Sequence, residues 1–171
     1  FEAMSPDQAF EWLISPITVK DFMAEYWEKK PLHIVRNDSA RHQGLLSNED
    51  LFAQMRTKRG LRYVKDINLA KCKGGVQEML NGAGNANVEA VKVAVAGGAS
   101  VQVVHPQRFV PAIAAFLSRL ESHFGCLWGS NSFETPPEAR GFKAHHDEVE
   151  VFMMQLEGAK EWTLHRCPSG P

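Results

Sequence analysis

Residues 141 to 164, GFKAHHDEVEVFMMQLEGAKEWTL, constrain this chain more than any other stretch. Val149, Val151, Phe152, Met153, Met154 and Leu156 make a nearly continuous apolar run. Glu157-Gly158-Ala159 supplies a turn, and Lys160-Glu161-Trp162-Thr163-Leu164 resumes the pattern. β-branched and aromatic residues on both sides of a short glycine-containing turn predict a hairpin. In extended backbone, residues two apart face the same way, so His145 and Asp147 would aim an imidazole and a carboxylate at one point. Those are two of the three donors of the facial triad, two histidines and a carboxylate, that holds iron(II) and leaves its other positions open. By itself an H-x-D triplet is more often a solvated strand end. An inward-pointing carboxylate beside an apolar strand is costly without a partner, however, and a cation is a reasonable one. His146 and Glu148 form an overlapping H-x-E on the opposite face, and spacing alone does not choose between the two registers.

The neighbouring motifs make the stretch specific. Gly129-Ser130-Asn131, Thr135-Pro136-Pro137, Gly141-Phe142, His145-x-Asp147, Glu150-x-Phe152 and Gln155-Leu156-Glu157-Gly158-x-Lys160-x-Trp162 together closely resemble the JmjC-type ribosomal oxygenases. Phe10-Glu11-Trp12-Leu13-Ile14-Ser15-Pro16, Tyr26-Trp27-Glu28-Lys29-Lys30-Pro31-Leu32 and His105-Pro106-Gln107-Arg108-Phe109 carry the resemblance over nearly the whole chain. It implies an iron(II)- and 2-oxoglutarate-dependent protein hydroxylase acting on a histidine of a ribosomal protein. It also implies that His145 and Asp147 are the first two iron ligands, which selects the first register. Lys160 would pair with the distal carboxylate of 2-oxoglutarate, work that suits a compact charge on a flexible stem, and Asn131 would lie near the cosubstrate. No catalytic side chain beyond the metal ligands is expected.

Two departures from the family pattern bear on substrate: His146 and Phe133 stand where tyrosines are usual. A third concerns the metal. The family's second histidine lies several tens of residues further on, and His165 follows too directly on the strand of Lys160 to replace it. The chain is therefore expected to be an N-terminal fragment lacking the distal iron ligand. Two other readings accompany the hydroxylase: a catalytically incomplete JmjC-like binding module, and a JmjC histone lysine demethylase.

With 171 residues, 44% hydrophobic and 23% charged, the chain suits one globular domain with a real core. A formal charge of -1 provides no global field for nucleic acid or anionic membrane. A ribosomal-protein substrate would thus be recognised locally, and direct nucleic-acid binding is not expected. Arg56, Lys58, Arg59, Arg62 and Lys65 form a local basic cluster that reads first as a solvated face, with an RNA-contacting patch as the lesser alternative. Cys72, Cys126 and Cys167 are odd in number and widely spaced, which indicates reduced thiols in an intracellular, non-secreted protein. The resemblance implies the nucleus or nucleolus in a eukaryote and the cytoplasm in a bacterium, with any homodimer formed through regions outside this chain. No apolar run has transmembrane length and no signal peptide is visible. Because the first residue is Phe1 rather than Met, upstream sequence is expected to be missing.

Along the chain, Ser5-Pro6-Asp7-Gln8 opens a helix with a capping box, and it stops before Pro16. A second helix starts near Thr18 and carries Phe22, Met23, Tyr26 and Trp27. Residues 32–35 read as a strand and 36–39 as a turn. Ser47 opens a helix with Leu51, Phe52 and Met55 on its buried side. Residues 61–64 read as a strand, the Gly/Asn-rich 71–87 as a hairpin or loop, and Asn87 as the cap of a helix ended by Gly97-Gly98. A buried strand at 100–104, an amphipathic helix at 109–124 and a strand at 126–133 lead to the hairpin, with His105 read as structural. The expected class is α+β, N-terminal helices followed by the first part of a double-stranded β-helix of the jelly-roll or cupin, JmjC type. Residues 1–99 would be its helical and mixed part and 100–171 the first half of the barrel core, within one truncated structural domain.

Overall fold

The computed structural model describes residues 1–38 and 40–165. Helix α1, Pro6–Ile14, begins with the predicted reciprocal cap: the Gln8 amide donates to Ser5 Oγ at 3.2 Å and the Ser5 amide to Gln8 Oε1 at 2.9 Å. Ala9, Phe10, Leu13 and Ile14 form its buried face, the i, i+3, i+4 stripe of an amphipathic helix. Its C-terminal carbonyls are taken by two arginines from the loop beyond the next helix. Arg36 donates to Ser15 O at 2.6 Å and Leu13 O at 2.7 Å, and Arg41 donates to Trp12 O. Cations there also complement the negative end of the helix dipole.

Helix α2, Val19–Glu25, is capped by Thr18 and shorter than its aromatic pattern predicts, for Tyr26 is already the C-cap. Helix α5, Pro111–Phe124, ends at Gly125, whose φ of 69° closes it in the left-handed region that glycine occupies freely. Phe116, Leu117 and Leu120 of α5 pack with the buried faces of α1 and α2 into one core.

A second core joins α3, Asn48–Met55, and α4, Val88–Ala96, to a sheet. Its strands are β1, Ile67–Lys73; β2, Val76–Met79; β3, Ser100–Val104; and β4, Asn131–Glu134, in the order β2-β1-β3-β4, all antiparallel. Lys73 pairs with Val76 across Gly74-Gly75, both at positive φ, as a two-residue hairpin turn requires. The register sets the faces. Ile67 lies opposite Val103 and Leu69 opposite Val101, and all four are buried under α3 and α4. Asn68 opposite Gln102, Gln102 opposite Phe133, and Val104 opposite Asn131 form the other face. The result is α+β, with one sheet drawing strands from both sides of residue 99.

Several expected strands differ. Residues 32–35 join no ladder. In the 61–64 stretch Arg62 and Tyr63 make only isolated bridges, to Asn85 and Ile67, a tight turn follows at 64–66, and the strand starts at Ile67. The strand expected over 126–133 pairs only from Asn131. The 149–156 and 160–164 segments pair with no strand among the described residues. The physical reason is common to all: an extended backbone becomes a strand only when a neighbour accepts its hydrogen bonds. The 149–156 segment still alternates, with Phe152, Met154 and Leu156 half-buried and Val149, Val151 and Met153 exposed. Phe152 enters the helical core, its ring centroid 5.3 Å from Trp128 and 6.0 Å from Phe22.

Candidate functional site

The chain reaches the predicted metal-binding segment through a tight crossing. After β4, Arg140 O accepts the Cys72 amide at 2.6 Å. Gly141 is buried against Ser100, where a β-carbon would overlap the serine side chain. Only glycine fits so close an approach. Phe142 meets Phe133 edge-on at 5.4 Å and the Lys143 amide donates to Gln77 Oε1 at 3.1 Å. From there residues 144–148 run exposed, without ladder contacts.

His145 and Asp147 both lie in this exposed run. His145 Nδ1 is 2.9 Å from Lys143 O. A carbonyl only accepts, so that nitrogen carries a proton and, in the neutral ring, the lone pair falls to Nε2. This is the arrangement by which ligating histidines are commonly oriented, one ring nitrogen on a carbonyl and the other toward the metal. His146, Glu148 and Asp147 make no hydrogen bond or ion pair among the described residues. Imidazole and carboxylate fit iron(II) in kind. In number they are incomplete, for no group of three metal-ligating side chains occurs among the described residues.

Lys160 stands over the open face of β4. Its ammonium donates to Thr135 Oγ1 at 3.0 Å, and Ser100 Oγ donates to the same oxygen at 3.1 Å. The charge lies 4.9 Å from the Trp162 ring and 6.0 Å from Phe133. Partial burial holds this lysine below its ordinary value, because desolvation disfavours the charged form. No carboxylate pairs with it among the described residues. Asn131 is the first residue of β4, two positions before Phe133, and faces the same way. An ammonium without a counter-ion and a carboxamide thus share one sheet face.

Sequence reasoning missed the residues that hold this face together. Asn81 Nδ2 donates to Asn68 Oδ1 at 2.9 Å and Asn68 Nδ2 to Gln102 Oε1 at 3.0 Å, a carboxamide row ending opposite Phe133. Thr135 and Ser100 position Lys160 in the same hidden way. The one available signal was polar residues at alternate positions of otherwise apolar strands, Asn68 and Gln102 among them. His105, read as structural, is at φ 53° and anchors the neighbouring 3₁₀ turn, Pro106–Arg108, making no ligand cluster among the described residues.

The comparisons with known proteins follow the same lines. The profile of the JmjC domain matches residues 102–170. The chain is 42% identical over 165 residues to ribosomal oxygenase 2 of Rattus norvegicus, covering 94% of this chain and 35% of that protein. It is 35% identical over 159 residues to the bifunctional lysine-specific demethylase and histidyl-hydroxylase NO66 of Culex quinquefasciatus, covering 92% and 24%. It is 35% identical over 157 residues to human ribosomal oxygenase 1, again covering 92% and 24%. The chain therefore spans about a third or less of the length of these curated relatives. The domain profile covers residues 102–170 and these relatives match 92–94% of the chain, so the chain belongs to the JmjC-domain family and is similar to its ribosomal oxygenases over almost its full extent.

Proposed function

We propose that this chain forms part of an iron(II)- and 2-oxoglutarate-dependent protein hydroxylase whose substrate is a histidine of a ribosomal protein. The observation that carries the reading is the ammonium of Lys160, paired with no carboxylate among the described residues, over the sheet face that bears Asn131. Lys160 would grip the far carboxylate of 2-oxoglutarate, exchanging its Thr135 contact for a charge-assisted one. Asn131 would supply a carboxamide contact along the same face. His145 through Nε2 and Asp147 through its carboxylate would hold iron(II), and the Lys143 carbonyl would keep the His145 proton on Nδ1. When bound, the metal and cosubstrate would supply the oxidative chemistry, in which molecular oxygen is the oxidant: one of its atoms ends in the succinate formed from 2-oxoglutarate with loss of carbon dioxide, and the other enters a substrate C–H bond as a hydroxyl. The protein's share is ligation, orientation and exclusion of water. The names of the relatives support the substrate class.

A binding module without turnover is the second reading, favoured by the incomplete donor set among the described residues. The two separate in a protein carrying this chain, incubated with iron(II), 2-oxoglutarate and ribosomal-protein peptides. A hydroxylase adds one oxygen to a peptide histidine, and Asp147→Ala abolishes both that mass gain and succinate formation. Turnover that survives Asp147→Ala rejects the ligand assignment, and its absence in the wild type favours the binding module. Release of formaldehyde from a methylated lysine peptide would instead indicate demethylation.

A further inference from the structure

Between Leu51 and Gln77 the sequence has seven basic residues and a single acid, Asp66. The fold spends that acid internally. Asp66 is 4% exposed, and its Oδ1 accepts Arg108 at 2.6 Å with Arg59 at 3.5 Å, while its Oδ2 accepts the Arg62 amide at 2.9 Å. Arg108 comes from beyond β3, so tertiary structure adds a sixth cation to the cluster formed by Arg56, Lys58, Arg59, Arg62 and Lys65. Of these six, Arg56, Lys58, Arg62 and Lys65 are exposed and make no ion pair or side-chain hydrogen bond among the described residues. Several other cations are engaged: Lys30 with Glu25, Lys92 with Glu89, Arg36 and Lys71 with backbone carbonyls. A net charge of -1 therefore averages over a polarised surface.

The turn that displays these cations is rigid. Arg62 O accepts both the Asp66 amide at 2.8 Å and the Ile67 amide at 3.2 Å, and Asn85 Nδ2 donates to Arg59 O at 3.1 Å. Val64 is held at φ 71°, a costly conformation for a β-branched residue that persists only where surrounding contacts over-determine it. We propose that this turn, with Arg56, Lys58, Arg62 and Lys65, is a docking surface for the phosphate backbone of RNA. A protein interface needs apolar or aromatic anchors at its centre, and here the turn exposes only Val64. Backbone contact to a nucleic acid needs only placed cations, and arginines match phosphate geometry well. The choice of RNA rests on the ribosomal-protein reading above, since such a substrate is carried among RNA. The cationic surface itself does not.

The test is fluorescence anisotropy of the whole chain with a labelled, unstructured RNA of about 20 nucleotides, between roughly 50 and 200 mM potassium chloride. Arg56→Gln/Lys58→Gln/Arg62→Gln/Lys65→Gln should bind at least about tenfold more weakly, with a log–log salt slope shallower by about 3, as four single-strand phosphate contacts imply. Arg62→Gln/Lys65→Gln should lose about half of that slope, and Lys20→Gln/Lys30→Gln should bind like wild type. Three outcomes overturn the proposal: no RNA binding, unchanged binding in the quadruple variant at unchanged melting temperature, or competition by an equally charged glutamate peptide as strong as by RNA. Tighter binding of a DNA strand of the same sequence overturns the choice of RNA. Iron and 2-oxoglutarate are omitted, so failure here and failure of the hydroxylase reading are distinguishable.

Discussion

Lys160 shows how a residue's surroundings define its task. Its neighbours are a hydroxyl and two aromatic faces, which tolerate the charge without neutralising it. Lys160→Ala should therefore weaken 2-oxoglutarate binding by roughly 1.5–3 kcal/mol, about 10- to 150-fold, in isothermal titration of the protein carrying this chain. Binding at wild-type strength would remove Lys160 from the site. The sign of the pH dependence follows from desolvation. The free lysine lies below its ordinary value of 10.5, so affinity should hold through neutral pH and begin to fall on the alkaline side before that value. Asp66 is the opposite case. Burial pushes its carboxyl up, but the Arg62 amide and the nearby Arg108 and Arg59 outweigh it, and the net shift is down from 3.8. A lowered folded-state value stabilises above the unfolded value, and the gain is lost as pH falls through the folded one. Asp66→Asn should lower stability by roughly 2–3 kcal/mol near neutral pH, since both arginines keep access to solvent, and flatten the acid limb of a melting-temperature profile. An unchanged acid limb would show that Asp66 carries no such linkage.

Among the elements, helices were more legible than strands. Ser5, Thr18, Ser47 and Asn87 each announced a start, and each side chain accepts from the first turn as anticipated. Helix caps are local chemistry, written within three or four residues. The end of α1 was not legible, because Arg36 and Arg41 arrive from over twenty residues away. Arg36→Ala removes two bonds to half-buried carbonyls and should cost roughly 1–3 kcal/mol, read as a lowered denaturant midpoint. No change would mean that water replaces the guanidinium there. Strand predictions failed at 61–64 because Tyr63 and Val64 carry strand propensity, whereas the left-handed conformation that Val64 adopts is imposed against that propensity by the Arg62–Asp66 contacts around it. They succeeded at β3 because both neighbours, β1 and β4, are present to pair with it.

At the scale of the whole molecule, one core lies between helices α1, α2 and α5 and the other between the sheet and α3 and α4, and the 149–156 segment packs on the helical core through Phe152 and Met154. Hydrogen exchange of the chain should find protected amides in β1 and β3 and fast exchange at Val151 and Met153, whose backbones join no ladder. Slow exchange at those two would mean that the segment pairs in solution. The sequence by itself determined the helix starts and the α+β class, which depend on short-range patterns and side-chain chemistry, and its family resemblance proposed His145, Asp147, Lys160 and Asn131 as site candidates. Only the tertiary structure decided that Thr135 and Ser100 hold Lys160 over β4, that Gln102 closes a row of carboxamides, and that Arg108 joins a basic turn. Each of those pairings spans tens of residues, and which distant groups meet is fixed by strand register and core packing, to which local sequence is blind.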